Sequence, residues 1–323
     1  MSVLPKTAAV LGGGAVGQVL VAALNRAGIR VVLAWNRSEQ RGWQSDLEGI
    51  GGAELIFLSV ADAAVEEVCT RIAPLLRRGH LVAHCAGALG LDALRPALEA
   101  GARTGSLHPL RAIPRGSAAG ALRDAAAGVA GSDAEARETL QQVARALGMS
   151  PIPVGDGSRV LYHAAAVLAA GGQVALFARA VQAFQDATGA PEPIARAALL
   201  PLARGALEAL EHRSPSEALT GPVARGDVAT VQAHRAALDG ETLSLYDQLV
   251  RAMLELRPSP EIGSLLRTPP GEARPAAGPG SRSSPPRPRP PREERPSASS
   301  RSPAPRARPL APPRRGRAPR RKR

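Results

Sequence analysis

Glycines at positions 12, 14 and 17 are the first residues whose spacing suggests a chemistry. Ala8-Ala9-Val10-Leu11 is a short apolar run that enters Gly-x-Gly-x-x-Gly, and an amphipathic helix is predicted from Ala15 to Arg26. In such a turn the first glycine permits a tight bend, and the second lets a pyrophosphate approach the backbone. The third lets the helix pack on the strand, with the phosphates at the helix N-terminus. Gly12, Gly14, Ala15, Val16 and Gly17 are therefore the expected dinucleotide contacts. A chain rich in Gly and Ala can produce this spacing by chance, so the strand before and the helix after carry the inference. A second strand, Arg30 to Trp35, runs into Asn36-Arg37-Ser38. An NAD site usually places Asp or Glu there, to accept from the ribose 2′-hydroxyl. A carboxylate would repel a 2′-phosphate, whereas Arg37 offers a planar fork and Asn36 and Ser38 further donors. NADP is thus expected in preference to NAD, against the plainer reading of a solvated turn with Arg37 pointing outward. After the third strand, Val60 and Asp62 would lie under the nucleotide, although Asp62 is also explicable as a helix N-cap.

The second chemistry is proton transfer. His108, in Gly105-Ser106-Leu107-His108-Pro109-Leu110, ends a predicted strand where a substrate is expected. Histidine is the side chain suited to moving protons near neutral pH, although a lone loop histidine is more often structural. Tyr162-His163 opens a long apolar helix and faces back toward the sheet if the crossover is short. In Gly221-Pro222-Val223-Ala224-Arg225-Gly226-Asp227, Asp227 reads on spacing as an N-cap, and His234 follows seven residues later on the same helical face. Lys6 and Lys322 are the chain's two lysines, which leaves Schiff-base and lysine-acid chemistry almost no source. Neither a metal-ligand set nor a serine nucleophile elbow is present at the required spacing.

The elements that must position these residues alternate between strand and helix. Strands are predicted over 54–60, 80–84, 104–107, 126–130 and 151–154, with helices over 62–76, 91–100 and 133–147, the last capped by Asp133. This is an α/β pattern, a mostly parallel sheet covered on both faces, over residues 1–155. From Ser158 onward the pattern is helical only, near 159–186, 191–211, 227–239 and 240–257, making residues 156–267 a helical domain. Val160 to Ala178 is 19 residues without a formal charge, near the length of a membrane span. Its weak Ala/Gly apolarity, with His163 and Gln173, instead suggests a helix buried inside a bundle, and no membrane contact is expected.

Charge divides the chain. Residues 1–267 hold 25 Lys+Arg and 25 Asp+Glu, so the net charge of +13 belongs entirely to residues 268–323. That Pro- and Arg-rich tail has almost no large apolar residue and is expected to be disordered. It suits weak, non-specific polyanion binding, without aromatic residues for base stacking. Cys69 and Cys85 lack metal-like spacing, and a reduced, cytoplasmic protein is expected.

Taken in order, the glycine turn, Asn36-Arg37-Ser38, His84-Cys85-Ala86-Gly87-Ala88-Leu89, Ser106-Leu107-His108-Pro109-Leu110, Tyr162-His163-Ala164-Ala165-Ala166-Val167 and Thr220-Gly221-Pro222-Val223-Ala224-Arg225-Gly226-Asp227 resemble bacterial Rossmann-like proteins with an appended helical domain of unknown function. Those are similar in layout to pyrroline-5-carboxylate reductase, the deazaflavin-dependent NADP oxidoreductases and the 6-phosphogluconate dehydrogenase type of helical domain. The resemblance covers about residues 5–257. It implies a helical domain that makes a homodimer, and an interdomain cleft with His108, His163, Arg225 and Asp227 around it. The catalytic candidates are accordingly His108, His163 and Asp227, with Ser106 and Arg225 as substrate contacts and no metal. The expected function is an NADP-dependent oxidoreductase acting on a small anionic substrate whose carboxylate Arg225 would grip. The alternative is a non-catalytic NADP(H) sensor on the same fold, because the family pattern commonly has Ser at Ala86, Lys at Arg159 and Asn at Gly171.

Overall fold

Strands β1 (Thr7–Leu11), β2 (Arg30–Trp35), β3 (Leu55–Leu58) and β4 (Leu81–His84) are almost continuous apolar runs, because both of their faces are covered. With β5 (Arg103–Leu110), β6 (Ala126–Gly131) and β7 (Ser150–Pro153) they form one seven-stranded sheet in the order β2-β1-β3-β4-β5-β6-β7. Every neighbouring pair is parallel except β5 and β6, which are antiparallel. These positions come from a computed structural model, which describes residues 4–39 and 41–267. The tail read above as disordered and polyanion-binding lies outside the described residues.

Helices α1 (Ala15–Arg26), α2 (Val65–Ile72), α3 (Arg95–Glu99) and α4 (Ala134–Ala146) cover the sheet. One core packs Leu20 and Leu24 of α1 and Leu140 and Val143 of α4 against Val10, Phe57 and Leu107. The other packs Val68 and Ile72 of α2 against Leu11, Ile56 and Val82. Asp133 caps α4 as expected, its Oδ1 accepting from the Ala136 amide at 2.7 Å. Asp62 does not act as a cap: it opens a single 3-10 turn, Asp62–Ala64, and the side chain makes no capping bond. The predicted helix over 62–76 is in fact two such turns flanking α2.

A short crossover leads from β7 into the helical half. Helix α5 (Arg159–Val167) continues through a π turn, Leu168–Gly172, into α6 (Gln173–Thr188), and α7 (Glu192–Ala209) packs against α6. The remaining helices are α8 (Pro215–Ala218), α9 (Val228–Ala237), α10 (Gly240–Leu256) and α11 (Pro260–Leu265). The expectation of a helix buried in a bundle fails within the single chain. The run 156–188 is long and apolar enough to span a membrane, yet none of its most apolar window is buried. Leu161 is 77% exposed and Val174 72%, and Leu202 on α7 is 72% exposed. Hydrophobic pattern reports that a face is to be covered and not which molecule covers it.

Helices α9, α10 and α11 are held by a small core of Val231, Val250 and Ile262 and by one buried charge pair. Arg235, 4% exposed, gives two hydrogen bonds to the Asp247 carboxylate, at 2.9 and 3.1 Å, and a third to the Leu265 carbonyl at 2.7 Å. Asp247→Ala would strand this guanidinium among apolar side chains. It should cost about 3–5 kcal/mol of stability, read as a lower midpoint in urea unfolding followed by circular dichroism.

Candidate active site

His84 closes β4 and stands opposite Ser106 of β5 in the parallel register. Residues two apart on a strand share a face, so Ser106 and His108 project on the same side as His84. On α5, Arg159, Tyr162 and His163 are spaced three and four apart, which puts all three on the helical face that meets these strands. The result is a polar seam between the sheet and the first helix of the helical half.

Its closest contacts form a chain. The Tyr162 hydroxyl and His108 Nδ1 are hydrogen-bonded at 2.9 Å, and their rings meet edge-on. His163 also meets the His108 ring edge-on, with centroids 5.5 Å apart. This approach is open because residue 87 is glycine. A Cβ there would stand 2.2 Å from His163 Nδ1 and 3.0 Å from His108 Cε1. Behind the rings Arg159 is fully buried and gives one hydrogen bond, from Nη2 to the Ala86 carbonyl at 3.1 Å.

The electrostatics follow from burial. Loss of hydration, then the charge of Arg159, lowers the His84 pKa to about 4. Burial, then His163 and Arg159, lowers His108 to about 4 as well. Both rings are therefore neutral at physiological pH, and burial raises Tyr162 above the ordinary phenol value. Neutral His108 paired with a protonated phenol can pass a proton to or from a bound group. Among the described residues no cluster suited to a metal is present.

A cavity of about 670 Å3 opens beside this pair. One wall is the chain from His108 to Ala112, at the carboxyl end of β5 and just past it. The other is the face of α5 and the π turn from Tyr162 to Gly171, where Ala165, Ala166, Ala169, Ala170 and Gly171 keep the helix surface recessed. Ligands of open α/β sheets bind at this edge.

The cofactor end is equally specific. Gly12 has φ +120°, and a Cβ there would meet the Ser59 carbonyl oxygen at 2.5 Å; one on Gly17 would meet the Gly12 carbonyl oxygen at 1.8 Å. The fold itself thus requires glycine at both positions. Around Gly14 a Cβ would meet nothing within 4 Å, so an open cradle lies over the middle glycine, where a pyrophosphate fits. Asn36 is committed internally: its Oδ1 accepts from the Gly13 amide at 3.1 Å and its Nδ2 donates to the Ser38 carbonyl at 3.0 Å. Arg37 is highly exposed and only loosely paired with Glu67 at 3.5 Å, which leaves its fork accessible. Val60 is half-buried and Asp62 exposed at the end of β3.

Of the residues singled out in the sequence, the structure brings together Ser106, His108 and His163. It does not bring Arg225 and Asp227 to the cavity. Arg225 is exposed on the turn before α9, and Asp227 caps that helix, its carboxylate accepting from the Thr230 amide at 3.0 Å and hydroxyl at 2.7 Å. His234 pairs with Tyr246 at 3.0 Å, away from the seam. Sequence reasoning assigned no role to His84, Gly87, Arg159 or Tyr162. The signal for two of them was the spacing Arg159-Tyr162-His163, which reads as one helical face.

Between pH 6.5, the ordinary histidine value, and about 4, the unfolded chain binds protons that folded His84 and His108 refuse. Stability is therefore full above that window and falls as the pH drops through it, by at most about 1.4 kcal/mol per pH unit for each ring. Urea midpoints measured from pH 7 to pH 4.5 should decline, and less steeply in His84→Gln.

Residues 6–109 match the family model of a Rossmann-like domain, and residues 125–253 match DUF2520, a domain of unknown function. No curated protein matches the sequence. Among solved structures, a candidate NADP oxidoreductase from Bacteroides fragilis is 22% identical, with a TM-score of 0.64 over 77% of this chain and 98% of its own. Pyrroline-5-carboxylate reductase from Coxiella burnetii is 20% identical, with a TM-score of 0.51 over 80% and 100%. Pyrroline carboxylate reductase from Plasmodium falciparum, solved with NADP bound, is 12% identical, with a TM-score of 0.53 over 77% and 99%. These likenesses are of fold. The chain thus matches a Rossmann-like domain over residues 6–109 and DUF2520 over residues 125–253, and it shares the α/β architecture of these solved structures.

Proposed function

We propose that the protein is an NADP(H)-dependent oxidoreductase acting on a small anionic substrate, with residues 1–155 holding the dinucleotide and residues 156–267 completing the substrate site. The observation that carries this reading is the Tyr162–His108 pair, set beside a cavity at the same sheet edge as the open cradle over Gly14. Gly12, Gly14 and Gly17, with the amides of Ala15 and Val16, would hold the pyrophosphate. Asn36 braces that turn, Arg37 and Ser38 would receive the 2′-phosphate, and Val60 and Asp62 would line the passage toward the nicotinamide. Bound NADPH supplies a hydride. Tyr162 and His108 move the matching proton at the Tyr162 oxygen, and His163 holds the His108 ring in place. With free cysteines at positions 69 and 85, a cytoplasmic location suits this role.

Gly14→Ala separates binding from folding. Because its Cβ meets no protein atom, the variant should keep wild-type stability while losing at least tenfold in NADPH affinity, measured by fluorescence titration. NADPH should also bind wild type more tightly than NADH. Absence of binding to either would remove the proposal.

The same reading includes a homodimer. Ten large apolar side chains between Val160 and Leu210 are exposed in the single chain. Covering them removes on the order of 1,000 Å2 per protomer, the scale of a stable interface. Light scattering coupled to size exclusion should give twice the mass of the chain, and Leu161→Glu with Leu168→Glu should give monomers. A monomeric wild type would leave the face to another partner.

A further inference from the structure

We infer that the buried guanidinium of Arg159, one helical turn before the cavity-lining Tyr162 and His163 on α5, is the anchor for the substrate's carboxylate. The inference rests on the anionic substrate proposed above, and it moves the anchor from Arg225 to a residue inside the seam.

Nε and Nη1 of Arg159, Oγ of Ser106 and Nδ1 of His163 are among the buried polar atoms of this seam without a hydrogen-bond partner. Buried polar groups in folded proteins are almost always partnered, so exceptions gathered in one place call for an explanation, and a bound anion is one that answers to a cation. Arg159 is the most demanding of them. It is fully buried, and among the described residues no carboxylate lies within ion-pair distance. Asp156, on the turn before α5, supports its charge only from farther away, and burial works against that charge. Arg235 shows what this chain does with an intrinsic buried arginine: it supplies Asp247 in bidentate geometry. An unpaired buried cation is expensive, and a bound counter-anion removes the expense.

The chemistry of the surroundings selects the anion. His84 from β4 and His108 from β5 are held neutral, and Tyr162 is protonated, so none of the three adds to or opposes the Arg159 charge. A monoanionic, planar carboxylate matches one guanidinium fork in charge and shape, with the Ser106 hydroxyl as a further donor. A phosphate dianion would bring a second charge with nothing to meet it. Seating the carboxylate also acts on His108. Burial, His163 and the Arg159 charge together hold the His108 pKa down. Pairing the Arg159 charge raises the proton affinity of His108, the base hydrogen-bonded to the Tyr162 hydroxyl.

Acetate, the smallest carboxylate, tests this on the full chain, with acetamide as the uncharged control. The His108 Cε1–H resonance is followed by NMR against pH at constant ionic strength and identified by its loss in His108→Asn. Acetate should raise its titration midpoint by about one pH unit, a tenfold change in proton affinity, and acetamide should leave it in place. The shift should vanish in Arg159→Met and survive in Arg159→Lys. Arg159→Met should fold with equal or higher thermal stability, since it deletes an unpaired buried charge. Its NADPH affinity should be unchanged, so that failure here is distinguishable from failure of the dinucleotide reading. Equal shifts with acetate and acetamide, an acetate shift retained in Arg159→Met, or no acetate shift in wild type would each overturn the inference.

Discussion

How closely α5 can approach the sheet decides everything else about the site. Two positions on the sheet side lack side chains where the helix presents its largest ones. Gly87 leaves room for the His163 ring, and Gly128 lies under the Tyr162 hydroxyl, which a Cβ would meet at 2.6 Å. Both rings therefore reach His108, each meeting it edge-on. Desolvation then does the chemical tuning: it depresses His84 and His108, keeps the tyrosine protonated and works against the charge of Arg159.

The rest of the molecule supports that contact at a distance. Two apolar cores clamp the sheet from both faces and set the register that puts His84 beside Ser106. The helical half has a far smaller core of its own, and the Arg235–Asp247 pair fixes the crossing of α9, α10 and α11. Helices α5 to α7 turn their apolar side chains outward instead. The small residues that recess the helix surface at the cavity lie on this same helical run, where the backbone widens into a π turn. π turns are rare and frequent at functional sites.

The fold was readable because its signals are local. Alternating strand and helix periodicity, the glycine turn and the Asp133 cap each depend on residues a few positions apart, and the structure has α1 and β2 at the expected bounds. Two glycines of the turn are explained by the protein's own packing and the third by open space, a division that spacing alone does not make. Asn36 shows the limit of residue-type arguments. It has the donors a phosphate needs, but the folded chain spends its side chain on Gly13 and Ser38.

What the amino-acid sequence determined by itself was the α/β class, the strand and helix order, the open turn for a dinucleotide and the His108 and His163 candidates. These follow from side-chain period, backbone freedom at glycine and the proton chemistry of imidazole, all properties of short segments. Only the tertiary structure decided which polar residues converge. Residues 84, 87, 106, 108, 159, 162 and 163 lie on two strands, a turn and a helix that meet through long-range packing. Whether an arginine is an exposed surface cation, as at Arg225, or a buried one without a counter-ion, as at Arg159, depends on the solvent left around it after folding. Solvent exclusion is a property of the whole packed chain and has no signature in residue type or spacing.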